Sequence, residues 1–200
     1  MRRADVIDLK VNLQAAGFGD FSNTNYYGPQ TRSVVEDFQN YYGLDVTGQA
    51  GQDTINKLSE VLGNPLQDGN YHDNAVTIKD YLMTLDYGDF SKTRYYGPQT
   101  ESAVKNFQRD HNLIENGIVD GPTLSQLEYE ITRPLENGMR RADVIDLKVN
   151  LQAAGFGDFS ETNYYGPQTK GVVEDFQDYY GLEVDGVAGE TTLNQLEEVL

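Results

Sequence analysis

The hexapeptide Tyr26-Tyr27-Gly28-Pro29-Gln30-Thr31 occurs three times in this sequence. Its second copy begins at Tyr95 and its third at Tyr164, so consecutive copies lie 69 residues apart. Because this spacing is kept through the intervening segments, the chain consists of three copies of one unit. Whatever one unit binds is then presented three times, which favours multivalent binding or stacking over chemistry at a single site.

The chain length indicates three small domains. Its 200 residues give roughly 60 to 70 residues per unit, close to the lower limit for a stable hydrophobic core, and small helical domains suit this size. We predict domain boundaries at residues 1–64, 65–133 and 134–200. Residues 63–69 and 132–138 each contain proline and glycine, which end a helix without a long flexible spacer and indicate a fixed geometry between neighbours.

Apolar spacing predicts the first helix of each unit. In the first unit these residues recur at helical intervals: Val6, Leu9, Leu13 and Ala16. We expect Asp5 to cap the start of this helix and Gly17 to end it in a left-handed conformation. The following segment, residues 18–27, shows no sustained alternation and is predicted to be a loop.

Two more helices are expected in each unit. The second begins at Pro29 with Gly28 as its cap and ends at Gly43, since proline suits the first helical position. Asn112 replaces Gly43 in the second unit, and asparagine also tolerates positive φ. The third helix opens at Gly51, and its apolar positions are Ile55, Leu58 and Leu62. The sequence therefore predicts an all-α protein of three tandem three-helix domains.

The tyrosine pairs are candidate ligand-binding residues. Adjacent residues of an extended segment point in opposite directions, so one ring of each pair can pack while the other projects. A projecting tyrosine can stack on a sugar face and hydrogen-bond its hydroxyls. The alternative is a packing role alone. The candidates are Tyr26, Tyr27, Tyr95, Tyr96, Tyr164 and Tyr165.

A glutamine in each second helix is the other candidate: Gln39, Gln108 and Gln177. Its amide could contact a ligand. We favour the alternative, in which the side chain hydrogen-bonds the backbone of a loop. The phenylalanine that precedes each glutamine is expected in the core.

Composition excludes several classes of function. The net charge of −17 argues against nucleic acid and anionic membrane surfaces as partners, because both attract basic patches. Such acidity favours solubility. No run of 18 apolar residues and no apolar signal segment is present, so membrane insertion is not expected. Because the first six residues recur at residues 139–144, we expect the chain to be a segment of a longer array.

Catalytic and metal-site patterns are missing from the sequence. Cysteine is absent, the two histidines are His72 and His111, and neither a His-Glu-x-x-His nor a Gly-x-Ser-x-Gly motif occurs. These motifs mark zinc peptidases and serine hydrolases. Abundant carboxylates carry little information in so acidic a chain, and none has the spacing of a calcium loop. We predict no enzyme, no cofactor and no metal site.

The first unit contains, in order, Leu13-Gln14, Gly28-Pro29-Gln30-Thr31, Val35…Phe38-Gln39, Gly43-Leu44-Asp45-Val46-Thr47-Gly48 and Gly51…Thr54…Leu58. This series resembles the peptidoglycan-binding-like domain (peptidoglycan binding domain 1), and all three units match. The second unit departs most, with Met83 in place of Gln14 and a different stretch at residues 116–123. These departures suggest that the second unit is mainly a spacer.

The resemblance implies a non-catalytic module of secreted, Gram-positive cell-wall proteins. The implied partner is peptidoglycan or its glycan or stem-peptide fragments, with neighbouring repeats or a catalytic domain in a longer protein. The implied location is extracellular and associated with the cell wall. The alternative function is a structural array, such as a surface stalk or spacer, in which the tyrosines serve packing.

Overall fold

The computed structural model describes residues 3–22 and 24–200, with residues 3 and 4 described by their backbone only. Nine helices and two short strands lie in this part of the chain, which confirms the all-α prediction. The helices are α1 (Arg3–Ala15), α2 (Pro29–Tyr41), α3 (Gln52–Leu62), α4 (Asn74–Thr84), α5 (Pro98–Asp110), α6 (Gly121–Thr132), α7 (Asp143–Ala153), α8 (Pro167–Tyr180) and α9 (Glu190–Glu198). The strands are β1 (Asn70–Tyr71) and β2 (Tyr95–Tyr96).

The chain forms two compact units, each built from two segments. The first combines Met1–Thr77 with Ser91–Gln126, and the second combines Ile78–Phe90 with Leu127–Leu200. The first repeat therefore lies in the first unit and the third repeat in the second unit, while the second repeat contributes to both. The domain boundaries that the sequence indicates stay a prediction.

The start of the first helix differs from the prediction. Helix α1 begins at Arg3, so Asp5 lies inside its first turn and is not its N-cap. Helix α7 likewise begins at Asp143, with Ala142 at the N-cap position. A carboxylate within the first turn still interacts favourably with the partial positive charge of the helix N-terminus. The acidic residue correctly indicated the start of the helix, but the prediction placed it just before the first turn instead of within it.

Glycine and asparagine end the helices as predicted. Gly17 has φ +90° after the first helix, and Gly43 has φ +67° after the second. Asn112 adopts φ +55° at the equivalent position of the second repeat. Asparagine tolerates this left-handed conformation better than other residues with a Cβ. The replacement of glycine by asparagine therefore confirms where the second helix stops.

The second-helix phenylalanine is the centre of each core. Phe38, Phe107 and Phe176 are fully buried, as expected. In the first repeat, Phe18 packs edge-on against Phe38 with ring centroids 5.1 Å apart. Burying one such side chain stabilises the fold by about 1.5 to 3 kcal/mol. The other buried members of this cluster are Leu9, Leu13, Ala16, Phe21, Val34, Val35, Leu58, Val61 and Ile118.

The tyrosine loops contain short β pairings that the helical pattern does not predict. Strands β1 and β2 pair antiparallel, with Tyr71 opposite Tyr95. In the third repeat an isolated bridge joins Arg140 to Tyr164. Each pairing ties the tyrosine pair to the segment that opens its own repeat, and so fixes the position of the pair.

Within the described residues, no helix has both the length and the apolar character needed to span a bilayer.

Candidate functional site

The second tyrosine of each pair is a structural residue. Tyr96 and Tyr165 are fully buried, and Tyr27 is half-buried. Each hydroxyl donates a 2.8 Å hydrogen bond to a glycine carbonyl in the connection before the third helix of its repeat, namely Gly48, Gly117 or Gly186. A buried hydroxyl needs such a partner. This ring therefore joins the tyrosine loop to the connection.

The first tyrosine of each pair projects to the surface. Tyr26 is 68% exposed, and Tyr95 and Tyr164 are each 36% exposed. One ring inside and one outside is the arrangement expected from alternation in an extended segment. Ligand binding by the projecting ring stays a prediction.

The projecting ring packs against the glycine that follows each pair, and we call it the seated ring. A Cβ added at Gly97 would come within 2.6 Å of Tyr95 Cε1, and one at Gly166 within 2.9 Å of Tyr164 Cε1. Gly28 and Tyr26 make the same close approach. Real side chains do not pack this closely, so the ring lies directly against the glycine backbone. The Tyr-Tyr-Gly-Pro motif thus encodes one buried ring, one seated ring and a helix start.

A residue from the start of the repeat covers the seated ring. The Arg140 guanidinium lies 4.8 Å from the centre of the Tyr164 ring, a cation–π contact. The rings of Tyr71 and Tyr95 lie 5.0 Å apart. The equivalent residue of the first repeat, Arg2, lies outside the described residues.

A buried lysine supports the loop from below, and the sequence reasoning missed it. Lys148 Nζ donates 2.8 Å hydrogen bonds to the carbonyl oxygens of Thr162 and Tyr164, and burial lowers the pKa of this lysine. Lys10 Nζ in the first repeat donates to Thr24 Oγ1 at 3.0 Å. A signal was available. A lysine recurs within the apolar stripe of each first helix, as Lys10, Lys79 and Lys148.

The second-helix glutamine is buried and bonded within its repeat. Gln177 Nε2 donates to the Asp185 carboxylate at 2.9 Å and to the Val187 carbonyl at 3.0 Å. Its Oε1 accepts from the backbone N–H of Asp185 and Gly186. Gln39 and Gln108 make the same pattern. This geometry supports the structural role that we favoured over ligand contact.

A shallow cleft of about 430 Å³ lies beside the tyrosine loop of the first repeat. It contains both polar backbone and an aromatic edge, and an Arg32–Glu36 ion pair of 3.0 Å stands on one side of it. The cleft is lined by Tyr27, Gly28, Pro29, Arg32, Gly48 and Gln49. A surface of this kind can hold one or two polar rings rather than enclose a small molecule.

Two of the residues by which the second repeat departs from the others, Asn116 and Asp120, lie at a contact with the first repeat. Asn116 Nδ2 donates to the Ala16 carbonyl oxygen at 3.0 Å, and Tyr42 donates to the Asp120 carboxylate at 2.7 Å. Both repeats contribute these residues from within one compact unit. These two departures therefore take part in packing between repeats.

Buried tyrosines should make stability fall at alkaline pH. Burial raises the pKa of Tyr96 and Tyr165, and it raises the pKa of Tyr41 to about 12. Because these folded-state values lie above the unfolded value near 10, their contribution is complete below pH 10 and is lost as the pH rises through the folded pKa. The lowered pKa values of Lys79 and Lys148 act in the opposite direction, but mainly below the unfolded lysine value near 10.4.

We expect the free energy of unfolding to fall by more than about 1.4 kcal/mol between pH 10 and 12, which is the effect of a one-unit shift of one group. Urea unfolding across this range measures it. The Tyr165→Phe variant should show a shallower decline, since it lacks one of the ionising groups. A stability that is constant over this range would contradict the prediction.

Comparison with known proteins gives the family. A sequence model described as "Putative peptidoglycan binding domain" matches residues 2–58, 71–127 and 140–196. N-acetylmuramoyl-L-alanine amidase CwlM of Mycobacterium tuberculosis is 31% identical over 109 residues, which cover 50% of this chain and 27% of that relative. The spore cortex-lytic enzyme of Oceanobacillus iheyensis is 36% identical over 62 residues, 31% of this chain and 22% of the relative.

The chain thus matches only about a quarter of the length of these curated relatives. No solved structure matches it. The three matched segments together span more than half of the sequence. The chain belongs to the putative peptidoglycan binding domain family, as three tandem copies of that domain.

Proposed function

We propose that this chain is a non-catalytic module that binds peptidoglycan through the projecting tyrosine of each repeat. The observation that carries the proposal is the seated ring, which rests on the same glycine in all three repeats. A ring held in place loses little conformational entropy when a ligand contacts it. Its exposed edge and its hydroxyl suit the hydroxyl and amide groups of a glycan or stem peptide.

The charge of the chain supports hydrogen bonding and packing, rather than ion pairing, as the source of affinity. At −17 the protein is strongly acidic, and stem peptides also carry carboxylates. Attraction between opposite charges would therefore contribute little, and salt should weaken binding only slightly, or strengthen it by screening repulsion. Retention that persists at high salt is the expected behaviour.

The relatives support a role at the cell wall. Their names describe an amidase and a cortex-lytic enzyme, and the matched region is a minor part of each. We assign to this region the shared task of holding a protein at peptidoglycan, without chemistry of its own. The proposed location of this chain is extracellular, at the wall of a Gram-positive cell, alongside further repeats or a catalytic domain.

Repetition supplies the affinity that one shallow site lacks. Linking sites that can bind together raises overall affinity by about 100-fold or more over one site, without any new contact. Peptidoglycan is itself a repeating polymer, so several tyrosines can be engaged at once if their spacing matches. Loss of one tyrosine should then weaken binding by far more than one third.

The test is retention on purified peptidoglycan sacculi. The triple variant Tyr26→Ala, Tyr95→Ala and Tyr164→Ala should lose retention by about 100-fold, and single and double variants should fall between. Its melting temperature should fall only modestly, because Tyr26 is 68% exposed and Tyr95 and Tyr164 are each 36% exposed, and a contact such as Arg140–Tyr164 is worth about 0.5 to 1 kcal/mol. The matched control is Tyr129→Ala, which removes an exposed tyrosine from α6 and should bind as the parent does. Full retention by the triple variant would contradict the proposal.

The alternative function, a structural array, is favoured by the contact between the first two repeats. Asn116 and Asp120 are held against the first repeat by hydrogen bonds, as expected of a stalk with fixed joints. In this case the parent chain would show no retention on sacculi at any salt concentration. The same pull-down therefore distinguishes the two functions.

A further inference from the structure

An aromatic face on the first repeat receives a loop of the second. The face surrounds the C-terminal ends of α1 and α2, where Tyr41 packs edge to face against Phe18 and Tyr42 and Phe18 packs at a tilt against Tyr42. The loop, residues 113–120, brings Ile114 against this cluster and buries Ile118 in the core of the first repeat. We call residues 113–120 the docking loop.

The contact is close and polar at its edges. A Cβ added at Gly17 would come within 2.5 Å of Ile114 Cγ2, so the loop lies directly on the glycine that ends α1. Asn116 bonds the Ala16 carbonyl at 3.0 Å, and Asp120 accepts a 2.7 Å hydrogen bond from Tyr42. Asp120 is buried, and its other carboxylate oxygen is occupied by Thr123. The polar groups of this contact are thus paired.

The third repeat carries the same face in the same shape. Phe156 and Tyr179 have ring centroids 5.6 Å apart, as do Phe18 and Tyr41. Tyr179 and Tyr180 lie 4.9 Å apart, as do Tyr41 and Tyr42. We call this set the docking face, and it consists of Ala154, Gly155, Phe156, Tyr179 and Tyr180. The rings take up this arrangement in the third repeat by themselves, so the face is preformed.

The docking face is open. Tyr179 is 73% exposed. A Cβ added at Gly155 would meet no atom of the described residues within 4 Å, whereas one at Gly17 would collide with the docking loop. Phe18 is buried in the first repeat, but its counterpart Phe156 is only partly buried. No described residue therefore covers this face in the third repeat as the docking loop covers it in the first.

Only one of the three loops of this chain has the residues that fit. At the position of Ile114 the other repeats have Asp45 and Glu183, which would place a carboxylate on the aromatic cluster. At the position of Asp120 they have Gly51 and Gly189, which offer no acceptor to a tyrosine hydroxyl. Repeats one and three thus provide the face, and repeat two provides the loop.

We propose that the docking face of the third repeat binds a further repeat of the second type. That repeat is joined to the C-terminal end of the third repeat in the same way that residues 63–132 are joined to the first. The repeating element of the array is then a pair, in which a face-bearing repeat is followed by a loop-bearing one. The proposal does not depend on wall binding, since it concerns contacts between repeats.

The test extends the full chain by one repeat. A second copy of residues 63–132 is joined directly to Leu200, because Val199-Leu200 correspond to Val61-Leu62 and the natural junction is reproduced. Nitration by tetranitromethane, read at each tyrosine by peptide mass, reports exposure. We expect Tyr179 to be nitrated about tenfold more slowly in the extended chain than in the parent. This is the rate expected if the added repeat leaves the face uncovered in about one molecule in ten.

The matched control gives the added repeat the loop of the first repeat. Its Ile114→Asp, Asn116→Thr and Asp120→Gly changes introduce residues that already occur at these positions in repeat one. This added repeat should fold but leave Tyr179 as reactive as in the parent. Protection of the added copy of Tyr96, which is buried in the parent, shows that the added repeat is folded in either chain.

Unchanged nitration of Tyr179 beside a folded added repeat would overturn the proposal, and so would equal protection by the control loop. A second measurement covers the case in which the added repeat does not fold. In the parent chain, Ile114→Asp with Asp120→Gly should speed nitration of Tyr41 and leave Tyr179 unchanged. If Tyr41 did not respond, the loop would not be what covers such a face, and the proposal would fail.

Discussion

Replacing Gln177 with alanine should destabilise the third repeat by about 3 kcal/mol or more, since several buried polar groups lose their partners at once. The Gln177 amide bonds the Asp185 carboxylate, the Val187 carbonyl and the Thr192 hydroxyl, and accepts from two backbone N–H groups. A domain of this size has only a few kcal/mol of stability. Urea unfolding should therefore show a separate early transition for this repeat.

The control for this variant is Gln168→Ala. Gln168 is exposed and makes one hydrogen bond of 2.9 Å, to the Asp158 carbonyl. Its loss should cost less than about 1 kcal/mol, as for an ordinary surface hydrogen bond. If both variants unfolded at the same urea concentration as the parent, the glutamine would not hold the connection as the geometry indicates.

Replacing Arg141 with alanine should have an effect of similar size at the junction between α6 and α7. The buried Arg141 guanidinium donates to the carbonyl oxygens of Glu130 at 2.8 Å, Ile131 at 2.9 Å and Arg133 at 2.9 Å. It also forms an ion pair with Asp143. Removing one partner of a buried charged network typically costs about 3 to 5 kcal/mol. We expect a loss of about 3 kcal/mol, because Asp143 keeps some access to water.

Hydrogen exchange gives a local readout for this variant. The Ala142 amide donates to the Thr84 carbonyl at 2.8 Å, and it should exchange faster once Arg141 no longer holds the end of α6. Arg140→Ala is the matched control, since Arg140 is exposed and contacts the Tyr164 ring. Its loss should cost about 0.5 to 1 kcal/mol. Unchanged exchange at Ala142 in the Arg141 variant would contradict the prediction.

The helices could be predicted from the sequence because their signals are local. Gly28-Pro29 marks the start of α2 and Gly43 its end, and both lie where expected. The predicted N-cap of α1 was wrong, since Asp5 lies within the first turn. An aspartate within the first turn gives the same sequence signal as one just before the helix, because both favour the helix N-terminus. Element ends depend on one or two residues, and several positions satisfy the same rule.

The short β pairings could not be predicted from periodicity. Two residues on each side, as in Asn70–Tyr71 with Tyr95–Tyr96, are too few to form an alternating pattern. The supporting role of Lys148 was missed for a different reason. A lysine in an apolar stripe normally keeps its charged end in water, and its burial here depends on carbonyl oxygens that only the folded loop brings to it.

The sequence by itself determined the number of repeats, the helical class and the family motifs, since each follows from residue type and spacing along the chain. Tertiary structure alone decided which tyrosine of a pair is buried, because alternation states that the two differ but not which one faces the core. It also decided that Ile114, Asn116 and Asp120 contact the first repeat. Their partners lie in another repeat, and no local pattern connects residues so far apart in sequence.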